Sequence, residues 1–167
     1  MRTIGITLVL IMELVLQATF FQFFNINGHS PDFVLVTLIV IGIYFEKEES
    51  WKYGLIIGIL KDVFFGIVFG VYSLLYFVVV IIISWIGKSM FKESLVAPLI
   101  LFPVGILVSN LLLFLINYLL GKGIAFSEFV AARGPVYLAV NLVGTLIVYT
   151  LFNMLRKRGY LLDKTRI

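Results

Sequence analysis

The sequence predicts an all-α integral membrane protein with six transmembrane helices, on the basis of its composition and of its apolar segments. Of its 167 residues, 62% are hydrophobic and 13% are charged, and the mean hydropathy is +1.13. A soluble domain of this length would need a charged surface that this composition cannot supply. We therefore expect a single membrane domain in a lipid bilayer.

Six apolar segments approach or exceed the ~20 residues that a transmembrane helix needs. The first carries Glu13 and Gln17 inside its apolar run. The second, 32–45, gives only ~21 Å of helix at 1.5 Å per residue. It must therefore be sheltered by neighbours, lie beside a thinned bilayer or start within a cavity. Ser30 and Pro31 suit its N-cap and first helical position. The predicted helices span 4–24, 32–45, 52–69, 71–88, 95–120 and 135–155.

The third to sixth segments carry features that predict how they are connected and where a helix bends. The connection near Gly70 is so short that the third and fourth helices should form a hairpin. The fifth helix contains Pro98 and Pro103, which predict a kink because proline removes a backbone hydrogen bond. The sixth is followed by the basic run 156–158.

The basic residues predict that both termini are cytoplasmic, because Lys and Arg are enriched on that side of a membrane. With six spans, only Lys122 and Arg133 fall outside, and Lys61 lies within a helix. The remaining basic residues fall inside: Arg2, Lys47, Lys52, Lys88, Lys92, Arg156, Lys157, Arg158, Lys164 and Arg166. Topology thus explains the excess of 13 Lys and Arg over 9 Asp and Glu, and no nucleic-acid partner is expected.

Ionisable side chains at membrane depth cost about 2.5–3.5 kcal/mol each on insertion scales and mark candidate functional sites. Glu13 and Lys61 each lie about nine residues past the inner ends of their predicted helices, ~13 Å deep. We hypothesise that they form an ion pair and that Asp62 faces the bundle interior. The alternatives are that Lys61 snorkels to the surface and that Glu13 is protonated.

Small residues recur every fourth position along the third segment, where they would let another helix approach closely. The series is Gly54, Gly58, Asp62, Gly66 and Gly70. The approaching helix is either another helix of this chain or the membrane helix of a partner. Asn110 and Asn141 are predicted to form interhelical hydrogen bonds of ~0.6 kcal/mol each, with ligand binding as the alternative.

The sequence lacks the residue combinations of common catalytic and metal sites. It has no cysteine and one histidine, so thiol catalysis and the usual zinc sites are excluded. His29 falls in the first outer loop, where a histidine is more often solvated than catalytic. A glycine-rich phosphate loop is also missing. We expect no enzymatic activity, no metal and no cofactor.

The run from Pro31 to Lys88 resembles the rod shape-determining protein MreD family. The resemblance consists of a Pro-Asp at the start of the second helix, a G-x-x-x-G-x-x-x-D pattern in the third, and a glycine-containing turn into an aromatic-bearing fourth helix. The matching positions are Pro31, Asp32, Gly54, Gly58, Asp62, Gly66, Gly70 and Tyr76.

This resemblance implies a non-catalytic scaffold of the bacterial cell-elongation complex in the cytoplasmic membrane. The implied partner is MreC and, through it, MreB, RodA and a class B penicillin-binding protein that build lateral peptidoglycan. The family is also similar in fold to the substrate-binding subunits of energy-coupling-factor vitamin transporters. The alternative function is therefore such a subunit, with a cavity under the outer loops lined by Asp32, Asn110, Asn141 and Tyr residues.

Overall fold

The computed structural model describes residues 2–19, 32–87, 96–121 and 134–157. Within these ranges the chain is all-helical, with six helices and no strand, as the apolar segments predict. Their order matches that of the six predicted segments, and only their bounds differ. They are α1 (Arg2–Thr19), α2 (Phe33–Tyr44), α3 (Lys47–Phe65), α4 (Val71–Gly87), α5 (Val96–Leu119) and α6 (Pro135–Lys157).

Helix α2 forms the centre of the bundle, with the other five helices packed against it. All ten residues from 34 to 43 are buried, so this helix is apolar on every side, as expected of a core helix. Of the three explanations for its short length, shelter by neighbouring helices agrees with this burial. A helix that contacts protein all round does not itself have to match the thickness of the bilayer.

Helices α3 and α4 form the predicted hairpin and make the most extensive helix–helix contact in the described chain. The predicted bounds of α3, 52–69, are wrong at both ends, because the helix starts at Lys47 and ends at Phe65. Gly66 and Gly70 therefore lie in the turn and not on the helix. Gly70 has a φ of +98°, a left-handed conformation that glycine adopts without steric cost.

Gly54 and Gly58 are the positions where α3 touches the backbone of α4. A Cβ added at Gly54 would lie 2.7 Å from the Tyr76 carbonyl oxygen, and one at Gly58 would lie 2.6 Å from the Ser73 Cα. Only glycine fits at such distances. Of the two interpretations of the glycine series, packing within the chain is therefore correct at these two positions. The face they form is occupied by α4, so the expectation that it binds a partner's helix is wrong.

The outer surface of the bundle is rich in exposed apolar side chains. Examples on four different helices are Leu8, Phe64, Leu107 and Ile147, which are 56–67% exposed. Two helical stretches of the described chain, Val96–Leu119 and Tyr137–Leu155, are long and apolar enough to cross a membrane by themselves. The six-span topology stays a prediction.

Pro103, one of the two prolines that predict a kink in the fifth helix, lies inside α5.

Candidate functional site: a polar cluster at the start of α2

Asp32 caps the N-terminus of the central helix. Its Oδ1 accepts a hydrogen bond from the Leu35 backbone N–H at 3.1 Å, which satisfies one of the free donors of the first turn. The expected cap at Ser30 is thus replaced by Asp32. Ser30 and Pro31 themselves lie outside the described residues. This cap places a carboxylate at the end of an otherwise apolar core helix.

Side chains from four other helices converge on Asp32. The Lys61 Nζ of α3 donates to Oδ2 at 3.1 Å. The Tyr76 hydroxyl of α4 lies 3.2 and 3.3 Å from the two carboxylate oxygens, and the Gln17 amide of α1 donates to Oδ1 at 3.3 Å. The Asp32 backbone N–H donates to the Asn141 Oδ1 of α6 at 2.9 Å. We call these residues the Asp32 cluster: Gln17, Asp32, Lys61, Tyr76 and Asn141.

Lys61 is the only lysine or arginine in this cluster, and its charge is enclosed. Its Nζ also donates to the Tyr76 hydroxyl, and it lies 4.7 Å from the Tyr72 ring centroid and 5.0 Å from that of Tyr76. The Lys61 side chain is 9% exposed and that of Asp32 is 20% exposed. Lys61 therefore does not snorkel to the surface. The carboxylate and the two aromatic faces stabilise a cation that would be costly to bury alone.

The hypothesis of a Glu13–Lys61 ion pair is wrong. The Glu13 Oε1 accepts a hydrogen bond from the Thr37 hydroxyl at 2.9 Å, and the carboxylate that binds Lys61 belongs to Asp32. The error came from the start of α3. Because this helix begins at Lys47, Lys61 lies ~21 Å along it instead of ~13 Å. That position is level with the opposite end of the bundle, where α2 begins.

Asp62 faces the bundle interior, as predicted, and is 2% exposed. Its carboxylate accepts hydrogen bonds from the backbone N–H groups of Tyr72 and Ser73 at 2.9 and 2.8 Å and from the Ser73 hydroxyl. Asp62 thus caps the N-terminus of α4 from the neighbouring helix, where a negative charge is favoured by the helix dipole. It closes the α3–α4 hairpin.

The two asparagines are placed differently. Asn141 is 1% exposed, and besides binding Asp32 it donates to the Tyr137 carbonyl at 2.8 Å, so it makes the interhelical hydrogen bond predicted for it. Asn110 lies partly buried on α5. It does not belong to the Asp32 cluster, whose hydrogen bonds join α1, α2, α3, α4 and α6.

Sequence reasoning missed the roles of Gln17 and Tyr76. Both carry a usable signal, since each is a polar group within an apolar segment, and such groups need a partner when they are buried. In the Asp32 cluster the Lys61 ammonium balances the charge of the Asp32 carboxylate. The hydrogen bonds of the cluster join five helices. Among the described residues, no group of three or more His, Cys, Asp or Glu side chains could hold a metal ion.

Comparison of the chain with known protein families gives one match. The family model of the rod shape-determining protein MreD matches residues 1–158, which includes every helix described above. No curated protein and no solved structure matches the chain. The similarity of fold to the energy-coupling-factor subunits therefore stays a prediction.

Proposed function

The chain belongs to the MreD family of rod shape-determining proteins, and we propose that it is a non-catalytic membrane scaffold of the bacterial cell-elongation complex. Membership in the family implies a role in rod shape determination. The finer proposal is a multi-pass protein of the cytoplasmic membrane with both termini in the cytoplasm. In it the protein binds MreC and thereby helps to organise lateral peptidoglycan synthesis by RodA and a class B penicillin-binding protein along MreB.

The observation that carries this proposal is the contrast between the interior and the surface. The hydrogen bonds of the Asp32 cluster connect α1, α2, α3, α4 and α6, and such a network favours a rigid interior. The peripheral helices α1, α3, α4, α5 and α6 expose apolar side chains. An exposed apolar surface of this extent is typical of contact with lipid tails or with other membrane helices. The chain is therefore suited to hold other membrane segments in place.

The proposal is tested by depletion followed by replacement with variants. We expect depleted cells to become round and to swell, and the wild-type gene to restore rods. Tagged wild-type protein should co-purify with MreC from detergent-solubilised membranes. A depleted strain that keeps its rod shape, or a wild-type protein that never retains MreC, would contradict the proposal.

The same strain tests the transporter alternative. That alternative requires a cavity under the outer loops lined by Asp32, Asn110, Asn141 and Tyr residues. Of these, the Asp32 backbone N–H donates a hydrogen bond to the Asn141 Oδ1. Depleted rods that grow only with an added vitamin would favour transport. So would a small molecule that stays bound to the purified protein.

A further inference from the structure

Two oxygen atoms on one face of α1 are buried without a hydrogen-bond donor. They are the Glu13 Oε2 and the Gln17 Oε1. The two residues are one turn apart, at i and i+4, so their side chains are neighbours on the helix surface. Buried polar atoms are nearly always hydrogen-bonded, and neither a carboxylate oxygen nor an amide oxygen can donate. Each of these atoms therefore needs a donor that no other described residue supplies.

The hydrogen bonds on the other side of each group fix which atoms remain. The Gln17 Nε2 donates to the Asp32 Oδ1 at 3.3 Å, whereas the reversed amide would place its oxygen against that carboxylate. The Gln17 Oε1 is therefore the atom left over. The Thr37 hydroxyl donates to the Glu13 Oε1 at 2.9 Å, so Oε2 is the oxygen of the Glu13 carboxyl group that lacks a partner.

The charges around Glu13 disfavour an ionised carboxylate. Helix α1 packs on α2 and α3, whose titratable side chains are Asp32, Tyr44, Lys47, Glu48, Glu49, Lys52, Tyr53, Lys61 and Asp62. The charge that acts on Glu13 is that of Asp32, and Lys61, the one lysine in the second half of α3, is bonded to Asp32. On α1 itself, Arg2 lies about three turns away. An ionised Glu13 would thus be a second carboxylate without a cation among the described residues, which is costly inside a membrane protein.

We propose that Glu13 is a proton-binding site that holds one proton on Oε2 and donates it to the Gln17 Oε1. A single proton gives both oxygens a hydrogen bond and adds no charge beside the ion pair of Asp32 and Lys61. In the protonated carboxyl group Oε1 is the carbonyl oxygen, which is the atom that accepts from Thr37. Hydrogen bonds then run without a break from Thr37 through Glu13 and Gln17 to Asp32.

This proton controls how α1 is attached to the bundle. The hydrogen bonds that join α1 to α2 are those of Glu13 with Thr37 and of Gln17 with Asp32. Among the described helices, α1 packs on α2 and α3 alone. Loss of the proton places an unpaired charge within this contact and leaves both oxygens without a donor. Helix α1 is therefore firmly docked in the protonated form and weakly docked in the ionised form.

Infrared spectroscopy tests the protonation state directly. Purified wild-type protein in dodecylmaltoside, a detergent without a carbonyl group, should show the C=O band of a protonated carboxylic acid near neutral pH. The band should shift when the protein is labelled with ¹³C-glutamate and stay in place with ¹³C-aspartate. It should be missing in Glu13→Gln. In Thr37→Val it should move to higher frequency, because the carbonyl oxygen Oε1 loses its donor.

Proton linkage gives a second measurement. The folded protein holds a proton that Glu13 releases when unfolding exposes it, so the stability of the wild type falls as the pH rises. Glu13→Gln has no proton to release, and its amide can donate to Gln17 in the same way. The unfolding constant of the wild type, divided by that of Glu13→Gln, should rise by up to about tenfold per pH unit between about pH 5 and pH 8.

Glu48→Gln is the matched control, because it removes a glutamate whose side chain is 62% exposed. This variant should keep the acid band and the pH dependence of the wild type. The proposal is overturned if the wild type has no acid band that responds to ¹³C-glutamate, if the band persists in Glu13→Gln, or if both proteins share one pH dependence. Stabilisation by Na⁺ without an acid band would show that a metal cation occupies the place of the proton, and it also overturns the proposal.

The isotope shift needs only wild-type protein, so it decides the question even if Glu13→Gln does not fold. None of these measurements involves MreC, and their outcome is therefore independent of the proposed scaffold function.

Discussion

Removing the Lys61 ammonium should destabilise the fold mainly through the carboxylate that it leaves behind. In Lys61→Met the stem of the side chain is kept, but Asp32 loses its only cationic partner among the described residues. Breaking a buried pair costs about 3–5 kcal/mol. Asp32 is still 20% exposed and keeps the donors of Leu35, Gln17 and Tyr76, so we expect a loss of about 2–4 kcal/mol in the free energy of unfolding.

A double-mutant cycle isolates the pair. Asp32→Asn keeps the Oδ1 that caps Leu35 but removes the charge, so in the double variant with Lys61→Met no carboxylate is left unpaired. The double variant should therefore lose less than the sum of the single losses, with a coupling free energy of about 1–3 kcal/mol. Equilibrium unfolding of the purified protein in mixed dodecylmaltoside–SDS micelles measures all four species.

The control cycle uses the pair that the sequence favours and the structure rejects. Glu13→Gln with Lys61→Met should give a coupling of less than about 0.5 kcal/mol, since Glu13 is bonded to Thr37 and not to Lys61. A coupling of less than about 0.5 kcal/mol for Asp32 and Lys61, or of more than about 1 kcal/mol for Glu13 and Lys61, would refute the pairing of Lys61 with Asp32.

Three further outcomes follow from the hairpin and from the cluster. Asp62→Ala leaves two backbone donors of α4 without an acceptor and should cost about 2–4 kcal/mol, whereas Asp62→Asn should recover part of this loss in the same unfolding assay. Gly58→Leu places a side chain 2.6 Å from the Ser73 Cα and should abolish folded, monodisperse protein in size-exclusion chromatography. At the control position Gly5 an added Cβ meets no atom within 4 Å, so Gly5→Leu should elute as wild type. Asn141→Leu removes the interhelical bond to α2 and should lower the unfolding free energy by ~1–2 kcal/mol, and an unchanged value would show that this bond contributes nothing.

Much of the candidate site could be found from the residues that interrupt apolar segments. Asp62 and Lys61 stand out because charge is costly in such a segment, and both prove to be buried and bonded. Asp32 was named through the Pro-Asp motif of the family resemblance, and Asn141 through its predicted interhelical hydrogen bond. Gln17 and Tyr76 were not assigned, because an amide or a phenol in an apolar helix is common and its partner is chosen by neighbouring helices.

The composition and spacing of the chain by themselves determined an all-helical protein with six apolar segments, a short second helix and a tight α3–α4 turn. These properties are local, because they depend on hydropathy and on glycine within one stretch of sequence. Only the tertiary structure decided that Lys61 binds Asp32 and not Glu13, and that Gly54 and Gly58 face α4. Such choices depend on where each helix starts and on how far it is shifted along its neighbour, and hydropathy is nearly insensitive to a shift of one helical turn.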